Sequence, residues 1–275
     1  MIWNARNGQV PVGNTKMSYV SFGQGEKVLT VLPGLSDGLT TVEGKALLLA
    51  MPYRRFLDRY TVYMFSRKDE MPEQYSIREM AEDQADAMLT LGIRKASVLG
   101  VSEGGMIAQH LAIDHADLVE KLVVAVSAPC VNETIRESVT KWIEYANAEN
   151  HKQLMMDTAE RSYSEKYLKK YRKIYPLLGI IGKPKSYGRF LTNANAILSF
   201  DASDELEKIA CPVLIISGSD DRIVGADASC EMNRKITNSE LYIYHGLGHA
   251  AYEEAGDFYD RVFQFLESQQ DEKKL

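Results

Sequence analysis

The sequence predicts an α/β fold, a mostly parallel β-sheet flanked by helices and interrupted by one inserted helical segment. Three observations predict it. Short continuous apolar runs recur along the chain, helix-period segments lie between them, and the alternation breaks once, between about residues 130 and 200. Continuous Val/Ile/Leu runs without in/out alternation are what strands covered on both faces require. Strands alternating with helices imply right-handed crossovers in one sheet. A chain of 275 residues, 45% hydrophobic and 25% charged, is long enough for one large domain or one domain with an insertion.

Taken in order, "TKMSYVSFGQGEKVLTV" (residues 15–31) reads as two strands joined by a Gly-containing turn, an antiparallel hairpin at one sheet edge. The buried-strand runs are "KVLTVLPG" (27–34), "YTVYMFS" (60–66), "KASVLGV" (95–101), "KLVVAVSA" (121–128), "PVLIISG" (212–218) and "SELYIYHG" (239–246). Between them, "SIREMAEDQADAMLTLG" opens with the capping-type Ser76 and stops at Gly92, a helix with both end signals. "EGGMIAQHLAIDHADLV" and "DFYDRVFQFLES" read as two more helices. From Cys130 to about Phe200 the chain is rich in Lys, Glu and Tyr, helical in pattern and without a strand signal. "SDELEKIACPVLIIS" then restarts the strand–helix order. The predicted division is a core of residues 1–129 and 201–275 and a helical cap of residues 130–200. The polar tail "SQQDEKKL" is expected to fray.

A net charge of −6 gives no electrostatic footprint for nucleic acid. No apolar run approaches the roughly 18 residues that span a bilayer, so no membrane segment is expected. "MIWNARNGQV" carries an arginine with no apolar stretch behind it, so no secretory signal is expected. Three scattered cysteines, Cys130, Cys211 and Cys230, fit buried thiols in a reducing, cytoplasmic setting and not a disulfide framework or zinc site.

The chemistry centres on "VLGVSEGGMIAQHLA" (98–112). Alone, G-x-S-x-G arises by chance in roughly one chain in ten of this length. Here it lies between a predicted strand and a predicted helix, which puts Ser102 at the tip of a strained turn at the C-terminal edge of the sheet. Gly100 and Gly104 relieve crowding around it, and Gly105 lets the helix pack close to the sheet. The Glu103 N–H then stands at a helix N-terminus, aimed at developing negative charge. A nucleophilic serine needs a base and an acid to orient that base. "YHGLGHAAYEE" offers His249 after a short strand, and "ISGSDDRIV" offers Asp220 or Asp221 at the end of the preceding strand. The order Ser, Asp, His is the one this elbow motif accompanies. A histidine that must be neutral to accept a proton makes activity fall below about pH 6.5–7.

These segments resemble the α/β-hydrolase fold family, of the lid-bearing esterase, enol-lactonase and C–C hydrolase type, from about Thr15 to Leu266 except in the cap. "LGVSEGGMIA" resembles its nucleophile elbow and "GLGHAAYEE" its histidine loop. "CPVLIISGSDDRIV" resembles its acid strand, where the aspartate comes three residues after the glycine, which implies Asp221. "LPGLSDG" resembles its oxyanion loop and implies Leu35 as the second backbone donor beside Glu103. "FSRKDEMPEQYSIREMAEDQADAM" resembles the segment in which an arginine turn precedes the helix before the elbow strand. Pro33 stands where the family commonly has a histidine that buttresses that loop. A serine nucleophile argues against a dehalogenase or epoxide hydrolase.

The resemblance implies a serine hydrolase of an ester, lactone or related acyl bond in a small, partly apolar molecule, with catalytic Ser102, Asp221 and His249 and no metal or other cofactor. The alternatives are a triad-bearing receptor of the same fold with little turnover, and a C–C bond hydrolase. A small-molecule partner is expected, and homo-oligomerisation is left open. His245 and His249 have H-x-x-x-H spacing, but Gly246 and Gly248 between them argue against a helix and a metal pair. Glu253 and Glu254 read as charges opening the next helix. In the cap, Tyr163, Tyr167, Tyr171 and Tyr175 recur every four residues on one helix face. Such a stripe packs the cap on the body or on another protomer, or roofs an apolar pocket. Tyr163, Tyr167 and Tyr171 are therefore carried as pocket candidates. The intervening Lys and Arg residues, with Lys183, Lys185 and Arg189, read as a solvated face or as a lure for an anionic substrate.

Overall fold

The computed structural model describes residues 2–173, 177, 179 and 182–268. Tyr175 and most of the polar tail lie outside the described residues. Eight strands form one sheet: β1 (Arg6–Val12), β2 (Thr15–Gly23), β3 (Lys27–Leu32), β4 (Tyr60–Lys68), β5 (Ala96–Val101), β6 (Val119–Ala125), β7 (Val213–Gly218) and β8 (Ser239–Tyr244). Their spatial order is β1-β2-β4-β3-β5-β6-β7-β8. From β4 to β8 every pairing is parallel, and only β1–β2 and β2–β4 are antiparallel.

The apolar runs are continuous because both faces of the sheet are covered. Val98, Leu122, Val124, Val213 and Ile215 belong to one core cluster, while Leu99, Val123, Ala125, Leu214 and Ile216, the alternate residues of the same strands, belong to another. The first face is closed by α2 (Ile77–Thr90) and α3 (Glu103–Asp114), which supply Met80, Met88, Met106 and Leu111. The second is closed by α1 (Ala46–Ala50) and by the C-terminal helix over Phe258–Glu267, which supplies Phe258, Val262 and Phe265. At the start of α2 the Ser76 hydroxyl accepts from the Glu79 N–H while the Glu79 carboxylate accepts from the Ser76 N–H, a reciprocal cap.

The expected hairpin is placed differently. β2 turns back onto β1 through Gly13, whose φ of 55° suits a tight turn, and β3 lies one strand away from β2, parallel to β4 on one side and β5 on the other. β1 was not legible because "RNGQVPV" carries Asn, Gly and Pro, and a proline survives in a sheet mainly on an edge strand. Between β6 and β7 lie α4 (Glu133–Asn147), α5 (His151–Ser162), α6 (Glu165–Tyr171) and α7 (Gly188–Leu198). Asn132, Asn150 and Ser164 cap α4, α5 and α6. After β7 come α8 (Asp227–Lys235), β8, a short α9 (Ala251–Glu254) and the C-terminal helix α10. No helix of the described residues is long and apolar enough to cross a membrane.

At Gly104 a Cβ would lie 1.9 Å from the carbonyl oxygen of Leu32 at the end of β3, a severe overlap with rigid backbone. Gly104→Ala is therefore expected to destabilise the chain by about 1–3 kcal/mol, the usual cost of overpacking rigid backbone. Urea unfolding measures it, and a change below about 0.5 kcal/mol, the size of an ordinary surface substitution, would contradict this packing.

Candidate active site

β5 stops at Val101 and α3 starts at Glu103, leaving Ser102 at φ 56°, ψ −120°, a conformation that a side chain rarely adopts. Neighbouring groups hold it there. The Ser102 N–H donates to Ala125 O (2.9 Å), and the Ser127 hydroxyl donates to Ser102 O (2.8 Å). Gly105 N–H donates to the same carbonyl (2.8 Å). The glycines divide the work more finely than the motif implies. A Cβ at Gly100 would overlap the first turn of α3, one at Gly104 would strike β3, and one at Gly105 would lie 2.6 Å from Ser127 Cβ.

His249 Nε2 lies 2.9 Å from Ser102 Oγ, and His249 Nδ1 lies 2.8 Å from Asp221 Oδ2. The other Asp221 oxygen accepts from the N–H groups of Ile223 (2.8 Å) and Val224 (3.0 Å), which leaves the carboxylate one orientation. With the Nδ1 proton donated to Asp221, Nε2 is the lone-pair nitrogen that faces the serine hydroxyl. Asp220 is exposed and accepts from the Ser219 hydroxyl instead, so the geometry brings Asp221, and not its neighbour, to the histidine. His245 is exposed, four residues and a turn away from His249. Glu254 accepts from the N–H and hydroxyl of Ser164, and Glu253 accepts from the Tyr163 hydroxyl, tying the histidine loop to the start of α6.

Leu35 opens a 3₁₀ turn over Leu35–Gly38, and Glu103 opens α3. The first N–H of a helix has no acceptor within it, so both are available to a ligand. A Cβ on Gly34 would lie 3.1 Å from Ser102 Cβ, which places this loop directly against the serine. The Glu103 side chain turns away from the cavity and is wholly buried against Arg67, whose Nη2 donates to it (2.9 Å) and to Pro33 O (2.7 Å). Burial pushes the Glu103 carboxyl above its ordinary value, and Arg67 offsets only part of that rise. Arg67, Asp37, Ser127 and Arg189 all support this rim, and the sequence singled out none of them for that role. Their partners lie far along the chain, and only an arginine closing the apolar run "VYMFSR" offered a signal. Arg189 donates to Asp37 Oδ2 (2.8 Å) and to three backbone carbonyls, and is spoken for by protein oxygens.

A cavity of about 140 Å³ opens onto Ser102 and His249, bounded by Gly34 and Leu35 below and by Trp142, Leu154, Met155 and Phe190 above. The residues lining it do not include Tyr163, Tyr167 or Tyr171. Tyr163 instead stacks on Tyr167, and Tyr171 packs tilted against Tyr167, both pairs with centroids 4.4 Å apart, beside buried Ala159 and Leu168. The stripe packs α6 against α5 and the start of α9 and does not roof this cavity.

The strained backbone at Ser102 has a measurable consequence. Ser102→Gly is expected to be more stable than Ser102→Ala by about 1–3 kcal/mol, because glycine adopts this conformation without strain. Thermal or urea unfolding of the pair tests it, and equal stability would mean that the turn is unstrained.

The alpha/beta hydrolase fold family model matches residues 59–256. The AB hydrolase superfamily protein YisY of Bacillus subtilis is 28% identical over 214 residues, covering 74% of this chain and 78% of that protein. The putative carbamate hydrolase RutD of Caulobacter vibrioides is 27% identical over 220 residues, covering 72% of this chain and 75% of the relative. Among solved structures, the enol-lactonase from Burkholderia xenovorans LB400 superposes with a TM-score of 0.82 at 21% identity, covering 95% of this chain and all of its own. MGS-M2, an alpha/beta hydrolase from a deep-sea metagenome library, superposes with a TM-score of 0.85 at 18% identity, covering 97% and 100%. Structural likeness at such identities establishes the fold, and the family model extends over most of the chain. The chain is a hydrolase that belongs to the alpha/beta hydrolase fold family.

Proposed function

We propose that the chain is a serine hydrolase cleaving an ester, lactone or related acyl bond of a small, partly apolar molecule through an acyl-enzyme. The observation that carries this reading is the unbroken relay from Ser102 Oγ to His249 (2.9 Å) and from His249 to Asp221 (2.8 Å) beside a small cavity. In this reading Ser102 Oγ attacks the carbonyl carbon as its proton passes to His249 Nε2, and Asp221 stabilises the imidazolium without taking the proton. The former carbonyl oxygen gathers negative charge against the N–H groups of Leu35 and Glu103. Collapse of this intermediate breaks the bond to the alcohol, which takes the proton from His249 and leaves acyl-Ser102. Water, losing a proton to the same nitrogen, then releases the acid and restores the serine.

The cavity supports a small, neutral substrate. About 140 Å³ is well below the roughly 300–1,000 Å³ of sites for drug-sized ligands. Among the described residues lining it there is no Lys, Arg, Asp or Glu. Relatives named as an enol-lactonase, an esterase and putative carbamate hydrolases support an acyl-type bond. The helices α4 to α7 act in this reading as the cap, residues 130–200, that bounds the cavity.

Ser102→Ala is expected to lower turnover of a short activated ester by about 10⁴-fold or more, and Asp221→Asn by about 10⁴-fold. Covalent labelling by a fluorophosphonate should require Ser102, and turnover by Ser102→Ala at the wild-type rate would overturn the mechanism. Across a series of p-nitrophenyl esters, acetyl to butyryl chains should exceed decanoyl by at least about 10-fold in kcat/KM. A preference for the long chain would mean that the cavity is not the acyl site.

A further inference from the structure

The 3₁₀ turn that presents the Leu35 N–H is held by two arginines. Arg67, at the end of β4 and 4% exposed, grips the turn from both sides. Its guanidinium donates to Pro33 O, and its backbone N–H donates to Asp37 Oδ2 (3.0 Å). The same guanidinium pairs with Glu103, the residue that offers the second N–H. Arg189, on α7 and 18% exposed, completes the chain. It donates to Asp37 Oδ2 (2.8 Å), to Asp37 O (3.2 Å), to Arg67 O (2.6 Å) and to Lys68 O (2.7 Å). Its neighbour Phe190 lines the cavity, and a Cβ on Gly38 of the turn would lie 2.7 Å from Phe190 Cα. A continuous run of polar contacts therefore leads from Glu103 through Arg67 and Asp37 to a helix that covers the cavity.

We propose that Arg67 and Arg189 are positioning residues for the oxyanion hole, and that Arg189 makes the hole's geometry depend on the seating of α7 over the substrate. The inference rests on the reading that the N–H groups of Leu35 and Glu103 receive the oxyanion. The physical reason is the direction of the restraints. A 3₁₀ turn with a glycine before it and another at its end has little stiffness of its own, and Pro33 offers a carbonyl acceptor but no side-chain donor. The two guanidiniums fix that turn through its flanking carbonyl and its single acidic side chain. A planar fork with several donors suits such a role, and lysine does not reproduce it. When α7 lifts, Asp37 loses the Arg189 guanidinium and keeps only the Arg67 N–H, and the Leu35 N–H gains freedom to drift. A drift of about 1 Å at such a donor costs up to about 100-fold in rate.

The test is Arg189→Ala in the full-length chain, assayed on a short activated ester beside a boronic acid that mimics the tetrahedral intermediate. The expected result is a fall in kcat of about 10- to 100-fold with KM changed less than about 3-fold, and a matching loss of boronic acid affinity. Arg189→Lys should recover only part of the loss. In Asp37→Asn the same parameters should move in the same direction, and the double variant should be less impaired than the two losses multiplied together, since both act through one contact. These two single variants carry the test if Arg189→Ala does not fold. A folded variant with unchanged kcat and boronic acid affinity, or with a change in KM alone, overturns the proposal. Ser102→Ala, run in parallel, separates the two levels. Its inactivity with wild-type behaviour in the Arg189 variants defeats only the coupling, whereas its full activity defeats the underlying mechanism.

Discussion

The first turn of α3 rests directly on the carbonyls that end β3, and it can do so only because position 104 has no side chain. That one contact sets the distance between two loops that would otherwise be independent. It brings the Gly34–Leu35 backbone against Ser102 and turns the Glu103 N–H toward the same space. It also leaves no room for the elbow to relax, so Ser102 keeps a positive φ that Ala125 and Ser127 reinforce from the adjacent strand. The residue that follows β6 shares the strain: Val126, β-branched, sits at φ 46° immediately beside these contacts. Strain on both sides of a junction persists only where surrounding structure over-determines it.

Charge supplies the second restraint. Arg67 and Glu103 are almost fully removed from water, and a buried ion pair of this kind adds little net stability over an apolar pair of the same shape. Its effect is geometric. Removing either partner would strand the other, so each holds its neighbour to a narrow range of positions. Glu103 has a further reason to be tolerated there, since a carboxylate in the first turn of a helix meets the positive end of the helix dipole. The same dipole favours negative charge developing beside the Glu103 N–H.

What the sequence showed depended on how local each feature is. Ser102, Asp221 and His249 were legible because each follows an apolar strand within a few residues and carries glycine punctuation. The choice between Asp220 and Asp221 came from the resemblance, and in three dimensions it is explained by burial and by two backbone donors. Strand identity was legible from apolar runs, but pairing was not, because β2 and β3 are consecutive in sequence while β4 lies between them in space. The arginine–carboxylate restraints were the least legible. Asp37 and Arg189 lie 152 residues apart, and Arg67 and Glu103 lie 36 apart, with no periodicity to connect them. The tyrosine stripe was visible as a period, but a period does not say what it faces.

The order of strands in the sheet also has a consequence for the growing chain. The sheet can build outward from β3, β4 and β5 once about the first hundred residues exist, and Ser102 comes with the fifth strand. Its two partners come with β7 and β8, which are separated from β6 by the helices α4 to α7 and join the far edge last. Since synthesis exposes the N-terminal part first, a ribosome-bound chain contains Ser102 well before Asp221 and His249 have been made. Such an intermediate holds the serine without the imidazole that faces it, so the contacts among Ser102, His249 and Asp221 form only after the residues of β8 and its following loop have emerged.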